Sequence, residues 1–224
     1  DKIYMRREFE MSKEQAKAYK EMKEFAMTEL EGEDASVTSV IVQLLRLHQI
    51  TCGHLTTDDK EIREIPNARL SELMQLLEEI NGKTIIWANY RYDIKKLLEA
   101  ITKKYGPESI VTYYGDTSDE ERVDAIRLFQ DENSEVKYFL ANTQTGGYGI
   151  TLTSAHDVIY YSNNYDLEKR LQSEDRAHRI GQNNHVTYTD LVCRNTVDEK
   201  IINALRNKND MARLITGVQW KEWL

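Results

Sequence analysis

Arg176 and Arg179 stand three residues apart in the string Gln172-Ser-Glu-Asp-Arg-Ala-His-Arg-Ile-Gly-Gln182, a spacing that predicts one shared helical face. Two guanidinium groups held that close repel each other unless an anion lies between or in front of them. Arginine is always charged and its planar fork matches two phosphate oxygens, so the pair suits a phosphate ligand. His178 and Gln182 fall within reach of the same face or its end, and Gln172 and Asp175 accompany the pair. The bland alternative is a solvated turn of charged helix, with Asp175 salt-bridged locally to Arg179. A second stretch, Gly146-Gly147-Tyr148-Gly149 followed by Thr151, allows close backbone approach to a nucleotide or to an interface. Taken alone it is equally a glycine-rich turn.

The elements that must position these residues are read from periodicity. Residues 2–9 alternate as a strand. Ser12 with Gln15 has the pattern of a capping box and opens a helix to about Leu30. A second helix carries Val37, Val40, Ile41, Leu44, Leu45 and Leu47, and a third spans roughly 68–80. Strands at 84–88, 110–114, 136–141, 158–161 and 186–192 then alternate with helices at 93–104, from Ser118 to Phe129, at 167–180, and from a cap at Thr196 with Glu199. Short apolar strands separated by helices predict an α/β fold with a doubly wound parallel sheet, preceded by a helical segment. Asn89-Tyr90-Arg91, Gly115-Asp116-Thr117, Asn142-Thr143 and Asn163-Asn164 each follow a strand. Ligands of open α/β sheets bind at the carboxyl ends of the strands. Amides, hydroxyls and arginines gathered there favour a nucleotide or phosphate.

Two sequences imitate nucleotide motifs. Gly82-Lys83-Thr84 has Leu77 where a P-loop needs its first glycine, and it follows a helix and enters a strand, the reverse of the P-loop order. Asp131-Glu132 follows a helix rather than a strand end, so it is not read as a magnesium site. His48, Cys52 and His54 lack a fourth ligand and fit no zinc spacing. Cys52 and Cys193 are expected as reduced thiols. The 224 residues carry a net charge of −8 and are 40% hydrophobic. That is enough for a core, and too acidic for a dedicated nucleic-acid-binding domain, so any DNA contacts should be local and weak. No apolar run is long enough for a membrane span. The lack of a signal peptide points to an intracellular, cytoplasmic protein, and the start at Asp1 to a piece of a longer chain. An arginine pair without a phosphate cradle or a metal set is what the second lobe of a two-lobed ATPase would show.

The string 172–182 resembles motif VI of Swi/Snf-type ATPases, which are helicase-like motors of superfamily 2. Met11-Ser12-x-x-Gln15-x-x-x-Tyr19 resembles that family's entry to this lobe, and Leu44 to His54 its "L-R-Q-I-C-x-H" helix end. Lys83 to Ala88 resembles motif IV. Gly115-Asp-Thr-Ser with Arg122 and Phe129, the motif V stretch Gly146 to Ala155, and Thr196-Val-Asp-Glu199 complete an ordered series along the whole chain. The resemblance implies the C-terminal RecA-like lobe of a double-stranded DNA translocase. Residues 1–66 would form its N-terminal strand and helical insertion, 67–195 the RecA-like lobe and 196–224 a closing helix and tail. ATP with Mg2+ would be held mainly by an N-terminal RecA-like lobe of the same parent chain. Arg179 would act as an arginine finger beside Arg176, with Gly147, Gly149, Thr151, Gln172 and Asp175 around the nucleotide and the last two orienting the arginines. Asn89, Tyr90, Arg91, Thr117 and Thr143 would face the DNA backbone without reading sequence. By itself the lobe is expected to be monomeric and inactive. The compact form resembles bacterial or phage members more than chromatin remodellers. The competing reading is a non-catalytic interaction or regulatory module that binds a partner through residues 12–54. A free-standing nucleotide-binding α/β enzyme, such as a glycosyltransferase, lacks any acid, base or metal cluster for its chemistry.

Overall fold

The computed structural model describes residues 1–32, 37–57, 59–145, 149–207 and 221–224. The chain divides into two compact units, one of Asp1–Arg7 with Leu70–Leu191, the other of Glu8–Arg69 with Val192–Leu224. In order the elements are β1 (Lys2–Phe9), α1 (Lys13–Gly32), α2 (Val37–Thr51), β2 (His54–Thr56), β3 (Ile62–Glu64), α3 (Arg69–Glu79), β4 (Thr84–Trp87) and α4 (Arg91–Tyr105). They continue with β5 (Ile110–Tyr113), α5 (Asp119–Gln130), β6 (Tyr138–Ala141), β7 (Asp157–Tyr160), α6 (Leu167–Ala177), β8 (Val186–Cys193) and α7 (Val197–Arg206).

The sheet runs β1-β8-β7-β4-β6-β5, and the pairs β4–β6, β4–β7, β5–β6 and β7–β8 are parallel. This is the expected doubly wound α/β arrangement. Every residue of β4 and β6 is buried, as apolar strands covered on both faces must be. The register places Trp87 level with Ala141 and Tyr160, and Tyr113 level with Ala141. Hydrogen bonds carry this alignment one residue further, from Ala88 N to Ala141 O (2.9 Å), Tyr161 N to Trp87 O (2.9 Å) and Asn142 N to Tyr113 O (3.2 Å). The loops after four strands therefore leave the sheet side by side. Beneath them Phe139 packs against Phe129 and Tyr113, at ring separations of 5.3 and 5.8 Å, in a core that also holds Ile85, Trp87, Val158, Tyr160 and Tyr188.

Helix ends follow local chemistry. Ser118 and Glu121 exchange both bonds of a capping box at the start of α5, and Asp166 caps α6 by accepting from Lys169 N. Gly82-Lys83-Thr84 is a helix-to-strand turn, and Lys83 Nζ donates to the carbonyls of Phe129 (2.6 Å) and Asp131 (2.7 Å). One boundary differs from expectation with consequences for the site. α6 ends at Ala177 rather than near Ile180, so Arg176 lies in its last turn and Arg179 lies beyond it. The shared helical face expected for the two arginines does not exist.

In the second unit, Ser12 and Gln15 form the capping box of α1, and Gln15 Nε2 reaches the Ile50 carbonyl at 2.9 Å. The antiparallel hairpin β2–β3 had no signal in the sequence reading, because its strands are three residues long and one is wholly exposed. Asp198, at the start of α7, is buried and pairs with the fully buried Arg69. It also accepts from Thr51 Oγ1 at 2.8 Å and from Cys193 N at 2.9 Å. Burial opposes its charge, but Arg69, His48 and these hydrogen bonds hold its carboxyl below the usual range.

His48 lies 3.8 Å from the Asp198 carboxylate. Burial lowers its pKa from 6.5 to about 4, helped by Arg69 and His54 and opposed by Asp198. Between those values the unfolded chain binds the extra proton. The His48 contribution to stability is therefore complete above pH 6.5 and is lost as the pH falls toward 4. Urea denaturation across that window should show a loss on the order of 3 kcal/mol from this group. His48→Gln should flatten that part of the profile, and an unchanged slope would remove His48 as its source.

Candidate functional site

The arginine string folds back on the loop after β6. Arg176 is buried at 8% exposure, and its Nε has no hydrogen-bond partner. Burial first, and the neighbouring Arg179 second, lower its pKa, while Asp175 and Tyr113 act the other way. An unpartnered guanidinium N–H beside a second guanidinium is a strong demand for an anion. The Arg176 carbonyl accepts from Leu152 N at 2.9 Å, tying the helix end to the loop.

Arg179 is exposed and reaches that same loop, with Nη1 donating to Gly149 O (3.1 Å) and to Thr151 Oγ1 (3.0 Å). Thr151 thus serves Arg179 directly. Gly149 has φ +25° and open space where a Cβ would stand. Gly147 lies outside the described residues. The turn that delivers Arg179 needs Gly181, at φ +102°, a conformation that side chains disfavour. Gln182 closes it. Its Nε2 lies within reach of the carbonyls of Thr153 (2.9 Å), Ala155 (3.1 Å) and Ala177 (3.3 Å). It thereby takes up a carbonyl left open at the end of α6 and staples 153–155 to the arginine turn.

Gln172 and Asp175 are not placed to orient the arginines by direct bonds. Gln172 Nε2 donates to Glu168 Oε1 at 2.9 Å on the outer face of α6. Asp175 pairs with Lys2 at 3.0 Å rather than with Arg179. Its pull on Arg176 is through charge alone.

The strand-end residues form a second group. Asn89 N donates to Ser162 Oγ (2.8 Å), and Asn89 O accepts from Asn142 Nδ2 (2.8 Å), so the ends of β7, β4 and β6 are bonded in a row. Asn89 Oδ1 and Thr143 Oγ1 are buried without hydrogen-bond partners. Tyr90 is the N-cap position of α4 and gives no side-chain cap, which leaves Arg91 at the helix start. The Arg91 guanidinium pairs with Asp116 at 2.8 Å over Gly115, where a Cβ would come within 2.4 Å of Nη2 and push the arginine aside. Thr117 is buried, and its hydroxyl accepts from Tyr114 N at 3.1 Å. It shapes the 114–117 turn beneath Arg91.

Two residues that the sequence reading passed over support this arrangement. Gln130 holds the 153–154 segment from α5 through Nε2 to Thr153 Oγ1 (3.2 Å) and through Oε1, which accepts from Ser154 N (3.0 Å). Arg170 is buried under α6. The sequence carries no local sign of it, because three of the four residues in its stripe, Arg170, Ser173 and Glu174 beside Ala177, are polar. Among the described residues, no three His, Cys, Asp or Glu side chains gather as a metal set, and no helix is long and apolar enough to cross a membrane.

Residues 68–181 match the helicase conserved C-terminal domain. Among curated proteins, the chain is similar to the chromatin-remodeling ATPase INO80 of Arabidopsis thaliana, 42% identical over 95 residues, covering 42% of this chain and 6% of that protein. The Neurospora crassa counterpart is 34% identical over 151 residues, covering 67% and 7%. The chain thus spans less than a tenth of the length of these relatives. Among solved structures, the Sulfolobus solfataricus SWI2/SNF2 ATPase core in complex with dsDNA superposes with a TM-score of 0.75 at 26% identity, covering 98% of this chain and 47% of that one. The C-terminal domain of the Sulfolobus solfataricus SWI2/SNF2 ATPase gives 0.70 at 24% identity, covering 98% and 92%. These relatives are eukaryotic and archaeal, and lend no support to a bacterial or phage source.

Gln182→Ala removes the donor shared by three carbonyls, and Gln182→Glu keeps the shape without the donor. Either should cost about 1–3 kcal/mol, the penalty for buried acceptors left open, read as a shift of the urea midpoint at constant slope. A midpoint that does not move would mean that solvent satisfies those carbonyls and that the staple is dispensable.

Proposed function

The chain belongs to the helicase conserved C-terminal domain family, as the C-terminal lobe of a SWI2/SNF2-type ATPase, and from that premise we propose that it supplies arginine fingers and DNA-backbone contacts to a motor that moves along double-stranded DNA. The observation that carries the reading is the pair Arg176 and Arg179. One is buried with an unpartnered Nε, and the other is presented on an exposed turn. They are the donor set a triphosphate fits. ATP with Mg2+ would meet this lobe at those two side chains and at the 149–151 loop. The described residues hold no carboxylate set for the metal. By likeness to the family, the metal and most of the triphosphate contacts would fall to an N-terminal RecA-like lobe.

When bound, the nucleotide supplies the phosphoryl group that water accepts. What this chain contributes is charge placed where charge develops. Arg179 leaves two neutral acceptors, Gly149 O and Thr151 Oγ1, to meet an anion. Arg176 needs no such exchange at Nε, which has no partner to lose. Asn89, Tyr90, Arg91 and Thr143 form a local polar row along the strand ends, with Thr117 acting through the turn it shapes. Such a row suits phosphates, and backbone contacts carry no base information. Arg91 would exchange Asp116 for a phosphate.

In a protein carrying both lobes, Arg179→Ala should lower kcat by about 10³-fold or more while KM for ATP changes only a few-fold, the pattern of a group that acts in the transition state. Arg179→Lys should recover little, since an ammonium cannot reproduce the fork. The assay is steady-state hydrolysis at saturating DNA, alongside a melting curve. Retention of kcat within about threefold of wild type would make Arg179 structural.

The 224-residue chain alone should bind double-stranded DNA weakly, without sequence preference, and less well as salt rises. Fluorescence anisotropy with two unrelated duplexes over a salt series measures this. Tight, salt-resistant preference for one duplex would refute backbone recognition.

A further inference from the structure

The arginine pair depends on how α6 is seated, and α6 is seated in an unusual way. The stripe it turns to the sheet contains Arg170, Ser173, Glu174, Arg176 and Ala177, all buried. An amphipathic helix on a parallel sheet ordinarily buries aliphatic residues there. Here the contacts are charged and directional. Arg170 Nε donates to Glu174 Oε1 at 2.9 Å, and Nη1 donates to Asp190 Oδ1 at 2.6 Å and to Asn163 Oδ1 at 2.5 Å. Its guanidinium carbon lies 3.5 Å from the Tyr160 ring centroid. Tyr160 Oη and Ser173 Oγ are 2.6 Å apart, and Tyr188 Oη donates to the Glu174 carbonyl at 2.7 Å. The other oxygen of Glu174 accepts from Tyr4 Oη at 2.7 Å and from Lys2 Nζ at 3.2 Å. Fewer than two turns of helix are thus bonded to β1, β7, β8 and the loop after β7. Two cations, Lys2 and Arg170, balance two anions, Glu174 and Asp190.

We propose that Arg170 is a positioning residue for the phosphate-facing arginines, fixing the rotation and slide of α6 through its buried pairing with Asp190. The inference rests on reading Arg176 and Arg179 as that pair. The physical case is one of specificity. Apolar packing is non-directional and tolerates small slips, whereas short bonds from one guanidinium to Glu174, Asn163 and Asp190, with a ring beneath it, admit one geometry. A buried ion pair contributes little net stability, so strength alone does not account for its use. Arg176 follows Arg170 by six residues, about 9 Å along the same rigid helix, so a rotation at Arg170 is carried to it. The Arg176 carbonyl then sets Leu152, and with it the loop on which Arg179 rests.

The test uses a protein carrying both lobes, assayed for ATP hydrolysis at saturating DNA. The variants are Asp190→Asn and Arg170→Met, with Arg170→Lys as a charge-retaining control and Arg179→Ala as reference. Each single variant should stay folded and lose kcat by about tenfold or more, as a small misplacement of catalytic groups does, with KM for ATP within about threefold of wild type. Arg170→Lys keeps the charge without the fork that Glu174, Asn163 and Asp190 meet, so it should lose nearly as much kcat as Arg170→Met. If Arg179→Ala abolishes turnover but both single variants keep kcat within about threefold, positioning by Arg170 is overturned while the arginine reading stands. If Arg179→Ala itself keeps kcat, the arginine reading fails and takes this proposal with it. Failure of both Asp190→Asn and Arg170→Met to fold would assign the cluster to stability and overturn the proposal, as would an Arg170→Lys variant with wild-type kcat.

Discussion

Everything at the candidate site depends on the level parallel register of β5, β6, β4 and β7. Trp87, Ala141, Tyr160 and Tyr113 end their strands side by side, so residues far apart in the chain emerge as neighbours. A one-residue slip would reverse which face each side chain meets, setting Trp87 and Phe139 against the wrong layer. The fully buried strands β4 and β6 make that slip costly, since each large aromatic side chain buries a surface that alternative pairings would strand. The bonds from Ser162 to Asn89 and from Asn142 to Asn89 then lock the loops in the order that the sheet dictates.

Beyond that platform, each of the two units contains a buried ion pair where an apolar contact would be usual. In one unit, Arg170 meets Asp190 over the Tyr160 ring. In the other, Arg69 meets Asp198 and lies 5.0 Å from the Phe9 ring centroid. Each pair is nearly or completely buried, so desolvation offsets much of its Coulomb gain, and removing one partner would leave a charge stranded. The net energy is small, but the penalty for misalignment is large. Geometry at the helix ends is therefore better specified than hydrophobic contact alone would make it. Arg176 is an exception. It is buried beside another cation with an unpartnered Nε, and that unmet demand is the observation behind the phosphate-facing role proposed for it.

The fold was legible because its signals are local. The capping boxes at Ser12 and Ser118 formed as read, β1 has the bounds given by its alternation, and the order of apolar strands and helices sufficed for a parallel sheet. Errors gathered where tertiary contacts override local preference. The residues after Ala177 continue a helical pattern, yet Gln182 draws the chain back onto 153–155 and Gly181 permits the reversal. The hairpin β2–β3 is too short and too exposed to show any period.

By itself, the sequence determined which residue types were available for phosphate chemistry, their order along the chain, and the family resemblance that residues 68–181 and the solved structures bear out. Those properties follow from side-chain chemistry and short-range periodicity, which a linear string contains. Only the tertiary structure decided what each polar residue is bonded to. Thr151 belongs to Arg179, Asp175 to Lys2, Gln172 to Glu168, and Thr117 to the Tyr114 amide. Arg170, which looks in the sequence like one more charge on a charged helix, lies under that helix against Asp190. The physical reason is that a hydrogen bond or ion pair is settled by distances of a few tenths of an ångström between groups as far apart in the chain as Lys2 and Asp175, 173 residues. Those distances come into being only when the strands have paired in register.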